Sequence, residues 1–281
     1  MPALPEVEIV RRDLEKEIVG RRIKDVLVRP GSNAMKIIKR HGRRKEFQEL
    51  LEGARVDRVE RLGRNLVIAL DNDRALIVDL GGSAQMRKTS ASDGLAPHTH
   101  VVLGFTIGGQ LRISDPKLTG EVFVVEHGRI AELRAERAAI IDPLESPLAW
   151  QQFSSLLERR RASMKELMCD EGFICGLGDI YSDEVLFSAG IRYDRPSDQL
   201  SSQDVRRLYR SLMEILQDAL KAGGTSSGDA EFADLQGQPG HFQLELKVFE
   251  REGKACRRCR HDIYKETFNG RITYFCPQCQ S

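Results

Sequence analysis

Apolar side chains recur at helical spacing over residues 5–19, with Val7, Val10, Leu14 and Ile18 on one face and Arg11, Arg12, Asp13 and Lys16 on the other. That period predicts an amphipathic helix, with Pro5 near its start and Gly20 ending it. From residue 22 to about 127 the pattern becomes one of strands. Runs at 23–28, 55–59, 66–70, 75–80, 99–107, 110–113 and 121–125 are rich in Val, Ile and Leu. The third and fourth form a hairpin over 71–73, and Gly108-Gly109 marks another turn. Short strands at this spacing predict a β-sandwich or barrel. Residues 35–52 interrupt them with helical character and six basic side chains, among them Lys39, Arg40, Arg43 and Arg44. These are expected to divide between a solvated face and phosphate contact.

Residues 135–147 are polar, bear Pro143 and Pro147, and read as a linker. Helices are expected at 148–159, around Met164, Leu167 and Met168, at 180–189, and over 201–222. In the last, Val205, Leu208, Leu212, Ile215 and Ala219 keep helical spacing. A glycine-rich turn occupies 172–179. Residues 223–240 are rich in Gly, Ser and Asp and are expected to form a mobile loop. At the C-terminal end, two β-rich runs flank Asn269-Gly270, a hairpin signal. The fold class expected is α+β. It comprises an N-terminal β-sandwich domain with a leading helix (1–134), a linker (135–147), a helical domain (148–240) and a β-ribbon (241–281).

The ribbon brings chemistry with it. Cys256-Arg-Arg-Cys259 and Cys276-Pro-Gln-Cys279 are two CxxC pairs, each able to supply two thiolates from one tight turn, so one structural zinc is expected. Two disulfides would be the alternative, but the chain is far longer than small disulfide scaffolds. From Lys247 to Ser281 eight Lys/Arg face four acids, a local +4 in a chain whose total is +1. A basic hairpin suits nucleic-acid phosphates; a solvated charged tail is the plainer reading. The near-neutral total argues against coating nucleic acid over the whole surface. The chain has neither a long apolar run nor a signal-peptide pattern at its start, so a cytoplasmic protein without a membrane span is expected. Cys169 and Cys175 read as reduced thiols.

Two further features are weak alone. Pro2 follows the initiator Met, whose removal would leave a secondary amine able to form an iminium with an aldehyde. The Gly176-Leu177-Gly178 turn points backbone N–H groups toward the start of the next helix, where a phosphate could sit, although plain turn geometry also explains it.

Together these features carry a family resemblance. Pro2-Ala3-Leu4-Pro5-Glu6-Val7-Glu8, Asp115-Pro116, the 176–184 stretch (GLGDIYSDE), Gly240-His241-Phe242 and the 270–279 stretch (GRITYFCPQC) occur in order. In this the chain resembles the formamidopyrimidine-DNA glycosylase/endonuclease VIII (Fpg/Nei) family over nearly its full length. The resemblance implies an N-terminal β-sandwich, a helix–two-turn–helix domain and a zinc ribbon. It implies a partner, double-stranded DNA with a lesion or an abasic site, and a flipped nucleotide attacked at C1′ by the N-terminal Pro. Carried over by position, Pro2 is the nucleophile. Arg271 grips phosphate, and His98, Lys117, Arg160, Gly178 and Asp179 fall at DNA-backbone contacts. No oligomerisation motif is present, and a monomer is expected.

The departures cluster where base excision is performed. The family's acid/base Glu after the Pro is Ala3, which has no proton to give. A family Lys is Arg64, and the clamp Asn is Asp179, whose carboxylate would repel phosphate unless protonated, turned away or bridged. The residues that fill the gap left by a flipped base are replaced by Gly82 and by Lys117-Leu118-Thr119, of which Leu118 is the remaining apolar wedge. Three functions follow. One is a lyase on abasic DNA with weak or absent excision of oxidised bases. The others are a non-catalytic binder of damaged DNA and a glycosylase for a different, bulkier lesion.

Overall fold

The structure, a computed structural model, describes residues 2–145, 148–227 and 232–281. Pro147 of the expected linker and residues 228–231 of the expected loop lie outside the described residues. The chain divides into two compact units: Met1–Arg137 with Gly223–Gly240, and Ala138–Ala222 with His241–Ser281.

Unit 1 starts with α1 (Leu4–Ile18), followed by β1 (Ile23–Val28) and two short helices, α2 (Ser32–Ile37) and α3 (Arg44–Glu49). The strands β2 (Val56–Leu62), β3 (Asn65–Leu70), β4 (Arg74–Asp79), β5 (Gln85–Thr89), β6 (Thr99–Phe105), β7 (Gln110–Ser114) and β8 (Glu121–Glu126) follow, then α4 (His127–Glu136). They form two four-stranded antiparallel sheets, ordered β1-β6-β7-β5 and β2-β3-β4-β8. One core joins the inner faces: Val26, Val101, Leu111 and Ile113 from the first sheet, Val59, Leu66, Ile68, Leu76 and Val78 from the second. Val7, Val10, Leu14 and Ile18 of α1 enter the same core. The β-sandwich is as expected.

Two elements of unit 1 differ from the pattern reading. The second sheet is apolar on both faces, because Val67, Ala75, Ile77 and Phe123 pack under Ile130 and Leu133 of α4. A sheet covered on both sides needs continuous apolar runs rather than alternation, which is why 66–70 and 75–78 read as unbroken. The other is β5, where only Met86 is buried. The basic segment 35–52 is also more committed than expected. Arg40 pairs with both oxygens of Glu121 (2.9 and 3.0 Å) and lies 3.6 Å from the Phe123 ring centre, so it belongs to the fold.

Residues 223–240 were expected with the helical domain, and the structure places them in unit 1 instead. Phe232 and Leu235 enter its core, the Leu235 carbonyl accepts the Lys88 N–H (2.9 Å), and the Thr225 N–H donates to Glu6 (2.8 Å). Burial of two large apolar side chains and pairing with β5 outweigh the polar composition of the segment.

Unit 2 contains α5 (Trp150–Glu158), α6 (Met164–Met168), α7 (Gly178–Ala189), α8 (Ser202–Lys221) and an antiparallel hairpin of β9 (Tyr264–Phe268) and β10 (Arg271–Phe275). Ser163 and Ser201 cap α6 and α8, each with an acid three residues on. Between α6 and α7 lie two turns, giving the helix–two-turn–helix. Two neighbouring carboxylates of α7 tie it to the ribbon. Asp183 accepts the Thr273 hydroxyl (2.7 Å) and the Tyr274 N–H (2.8 Å). Glu184 accepts the N–H groups of Lys247, Val248 and Phe249 (2.9–3.0 Å). Burial raises the Asp183 carboxyl to about 6 despite these bonds and the Lys165 ammonium. Among the described residues no helix is long and apolar enough to cross a membrane.

Candidate nucleic-acid interface

Pro2 precedes α1, whose N-cap is Ala3. A methyl group cannot cap a helix. Glu6, three residues on, makes the other half of a capping box, taking the Ala3 N–H on one oxygen (3.0 Å) and the Thr225 N–H on the other (2.8 Å). The Glu6 carboxylate is thus buried and held from two sides. Sequence reasoning passed over this role, although a Glu three residues after an N-cap is a recognisable signal. Arg64 is half-buried at the turn between β2 and β3.

Asp115, fully buried, organises the other unit 1 candidates. Its carboxylate accepts the N–H groups of Gly120 (2.7 Å) and Lys117 (3.3 Å) and the Ser83 hydroxyl, and its own N–H donates to the His98 carbonyl (3.0 Å). His98 and Lys117 are therefore anchored by one residue, and both side chains are exposed. His98, at φ +57°, borders a polar cavity of about 300 Å³ shared with Arg29, Asn33 and Thr99. Leu118, expected as a wedge, is half-buried and packs against the unit 1 core, with φ +55°. Thr119 accepts the Gly82 N–H (2.9 Å), and a Cβ on Gly81 would meet the Thr119 carbonyl at 2.2 Å, so the two loops lie back to back.

In unit 2 the structure brings Gly178, Asp179 and Arg271 together. Gly176 and Gly178 both have positive φ, at +68° and +60°, which glycine adopts without strain. Asp179 stands in the first turn of α7, with Arg271 Nη1 3.4 Å and Lys165 Nζ 3.7 Å from the same carboxylate oxygen. The carboxylate thus lies between two cations. Lys165 was not anticipated. It is fully buried, donating to Asp183 and Ser182 (2.8 Å each) and to the Asp179 carbonyl (3.2 Å). Beside it burial pushes the Cys169 thiol up. Arg160 is exposed, with one N–H on the Gly172 carbonyl (3.0 Å).

The ligand atoms of Cys256, Cys259, Cys276 and Cys279 lie within 4.8 Å of one another. A tetrahedral zinc with Zn–S bonds of about 2.3 Å requires sulfurs about 3.8 Å apart. The Cys256–Cys279 and Cys259–Cys276 separations are 3.9 and 3.4 Å. Four thiolates held this close repel one another and need a cation between them. The donor set fits one structural zinc, which would cross-link the two turns of the ribbon.

A two-sheet sandwich, a helix–two-turn–helix and a zinc ribbon define a DNA-repair class of architecture, and comparison with known proteins narrows it. Residues 1–122 match the formamidopyrimidine-DNA glycosylase N-terminal domain, 140–231 the formamidopyrimidine-DNA glycosylase H2TH domain, and 253–281 the zinc finger found in FPG and IleRS. The chain is 35% identical over 280 residues to the formamidopyrimidine-DNA glycosylase of Pelotomaculum thermopropionicum, covering 100% of this chain and 99% of that one. It is 36% identical over 282 residues to that of Geobacillus kaustophilus, covering 100% of both. Lactococcus lactis Fpg in complex with DNA containing an abasic site superposes with a TM-score of 0.89 at 29% identity, over 99% of each chain. The same protein with DNA containing N7-benzyl-Fapy-dG gives 0.88 at 30%, over 100% of each. The chain belongs to the formamidopyrimidine-DNA glycosylase family.

Proposed function

We propose that the chain is a DNA-repair protein that binds DNA at an abasic site or lesion, cleaves abasic DNA as a lyase through Pro2, and excises ordinary oxidised bases weakly or not at all. The observation that carries this reading is Ala3. It removes the carboxylate that the family pattern carries next to Pro2, while Glu6 accepts the N–H groups of Ala3 and Thr225. Loss of one acid/base group costs about 100- to 10,000-fold in rate. An abasic site needs no glycosidic bond broken, so that loss falls mainly on excision.

In the proposed reaction the neutral Pro2 nitrogen attacks C1′ of the ring-opened sugar, and water leaves to give an iminium. Loss of the C2′ proton sends its electron pair toward the iminium, and the 3′ phosphate departs. Hydrolysis of the adduct then frees Pro2. His98, Lys117, Arg160 and Arg271, all carrying exposed side chains, would contact the DNA backbone and position the sugar. Arg64 takes the place of the family Lys near the site. We place the protein in the cytoplasm, on the nucleoid when bound. Its six cysteines are free of disulfides, and a reducing compartment keeps the zinc thiolates available.

Borohydride trapping on a duplex with one abasic site tests this. A covalent adduct is expected with the wild type and none with Pro2→Gly. Tight binding without adduct or nicking would leave a non-catalytic damaged-DNA binder. On an oxidised-guanine duplex the wild type should be nearly inactive, and Ala3→Glu should gain excision by about 100-fold or more. Efficient wild-type excision would sink the weight given to Ala3.

A further inference from the structure

The start of α7 carries an anion of its own. Asp179 lies in the first turn of a 12-residue helix, where the positive end of the helix dipole favours negative charge. Its carboxylate meets Arg271 at 3.4 Å, and both side chains are about half exposed (43% and 47%). Among the described residues this is the one ion pair of Arg271. The second cation on that carboxylate, Lys165, is fully buried and bound to Asp183, Ser182 and the Asp179 carbonyl, so it cannot move out to a ligand. Cys169 Sγ, 3.7 Å from Asp179, completes the surroundings.

We propose that the Asp179 carboxylate is an internal stand-in for a DNA phosphate, and that Asp179 sets the grip of this clamp by making backbone binding an exchange of one anion for another at Arg271. The proposal rests on the reading of Arg271 and the Gly176–Gly178 turn as a phosphate contact. An ionised Asp has only acceptors to offer, as does a phosphate, whereas an Asn would carry N–H donors. In the free protein Arg271 is already neutralised. When a phosphate arrives, the Arg271–carboxylate pair breaks, an Arg271–phosphate pair forms, and the carboxylate recruits a cation from solution. A free cation that binds a duplex phosphate releases about 0.9 counterion. An Arg taken from a carboxylate releases almost none in net terms. The contact therefore adds little affinity and little salt dependence, and it weakens the grip on intact and abasic duplex alike, because it touches backbone and not bases.

Salt titrations of binding to a short abasic duplex, with zinc-loaded full-length protein, read this directly. Asp179→Asn and Asp179→Ala should both bind more tightly, by about tenfold near 0.1 M salt. Each should steepen the slope of log K against log salt by about 0.9. Arg271→Ala should change the slope little in the wild type and by about 0.9 in the Asp179→Asn background. Because the pair is half exposed, zinc content should not change and the thermal midpoint should fall only slightly, by the loss of an acid from the start of α7. Equal or weaker binding by both Asp179 variants, with an unchanged slope, overturns the proposal while DNA binding stands. If Arg271→Ala changes neither affinity nor slope in either background, the phosphate contact itself is wrong. If no variant binds abasic duplex, the functional reading fails with it.

Discussion

Glu8 sits on the buried face of α1 where three guanidinium groups converge: Arg11 at 3.0 Å, Arg12 at 2.8 Å and the buried Arg61 of β2 at 3.2 Å. Burial alone would raise its carboxyl, but the hydrogen bonds from Arg11 and Arg12 and the charge of Arg61 hold it below the ordinary Glu value of 4.5. A folded-state value below the unfolded one means that the unfolded chain binds the proton more readily. The stability Glu8 contributes is therefore fully present above about pH 4.5 and is lost as pH falls through its lower folded value. Glu8→Gln should cost about 2 kcal/mol at pH 7, and the gap to wild type should narrow as the pH falls below about 4.5. Urea denaturation of both proteins across that range measures it; a gap that stays constant would mean that Glu8 is not charged in the fold. The sequence disclosed Glu8 only as a motif letter. Helical spacing places it beside Arg11 and Arg12, but Arg61 lies 53 positions away and no local pattern announces it.

At the scale of elements, legibility followed burial on one face. The expected helices that have one apolar stripe, α1 and α8, appear within about two residues of their predicted ends. β5 and α4 escaped because each buries a single residue, Met86 and Ile130, and the pattern is made by their neighbours. The unbroken apolar runs of β3 and β4 were the missed clue, since a strand buried on both faces requires a cover. The ribbon was readable because covalent chemistry marks it: two CxxC pairs and an Asn-Gly turn. Its own core is small, with Val248, Ile263 and Tyr274 around Phe187 of α7. Structural zinc sites of this type contribute on the order of 10 kcal/mol to folding. Cys276→Ala should therefore lose the metal, and amide exchange across 264–275 should become fast while α8 stays protected. Ribbon protection that survives without zinc would show that Asp183, Glu184 and the small core suffice.

At the scale of the molecule, the chain leaves unit 1 after Arg137, returns for Gly223–Gly240, and leaves again for the ribbon. Linear reading assigns such a segment to the domain on either side of it, and Gly/Ser/Asp composition reads as loop. What ties it to unit 1 is a pair of contacts across the sequence: Thr225 N–H to Glu6, 219 positions apart, and Leu235 against β5. Glu6 thereby connects the turn that carries Pro2 with a segment from the far end of the chain. This gives two opposed expectations for Glu6. As a structural acceptor it should tolerate loss of charge with loss of order; as a replacement for the missing acid at Ala3 it should be indispensable to chemistry. Glu6→Gln keeps one oxygen and turns an acceptor into a donor, so either the Ala3 or the Thr225 N–H loses its partner, at about 1–3 kcal/mol. Limited proteolysis should then cut within 223–240 faster than in the wild type, and the thermal midpoint should fall. Borohydride trapping on abasic DNA should persist at least in part, because it needs the Pro2 amine and not a carboxylate. Complete loss of trapping in a variant that keeps its fold and its resistance to proteolysis would reassign Glu6 from the scaffold to the reaction.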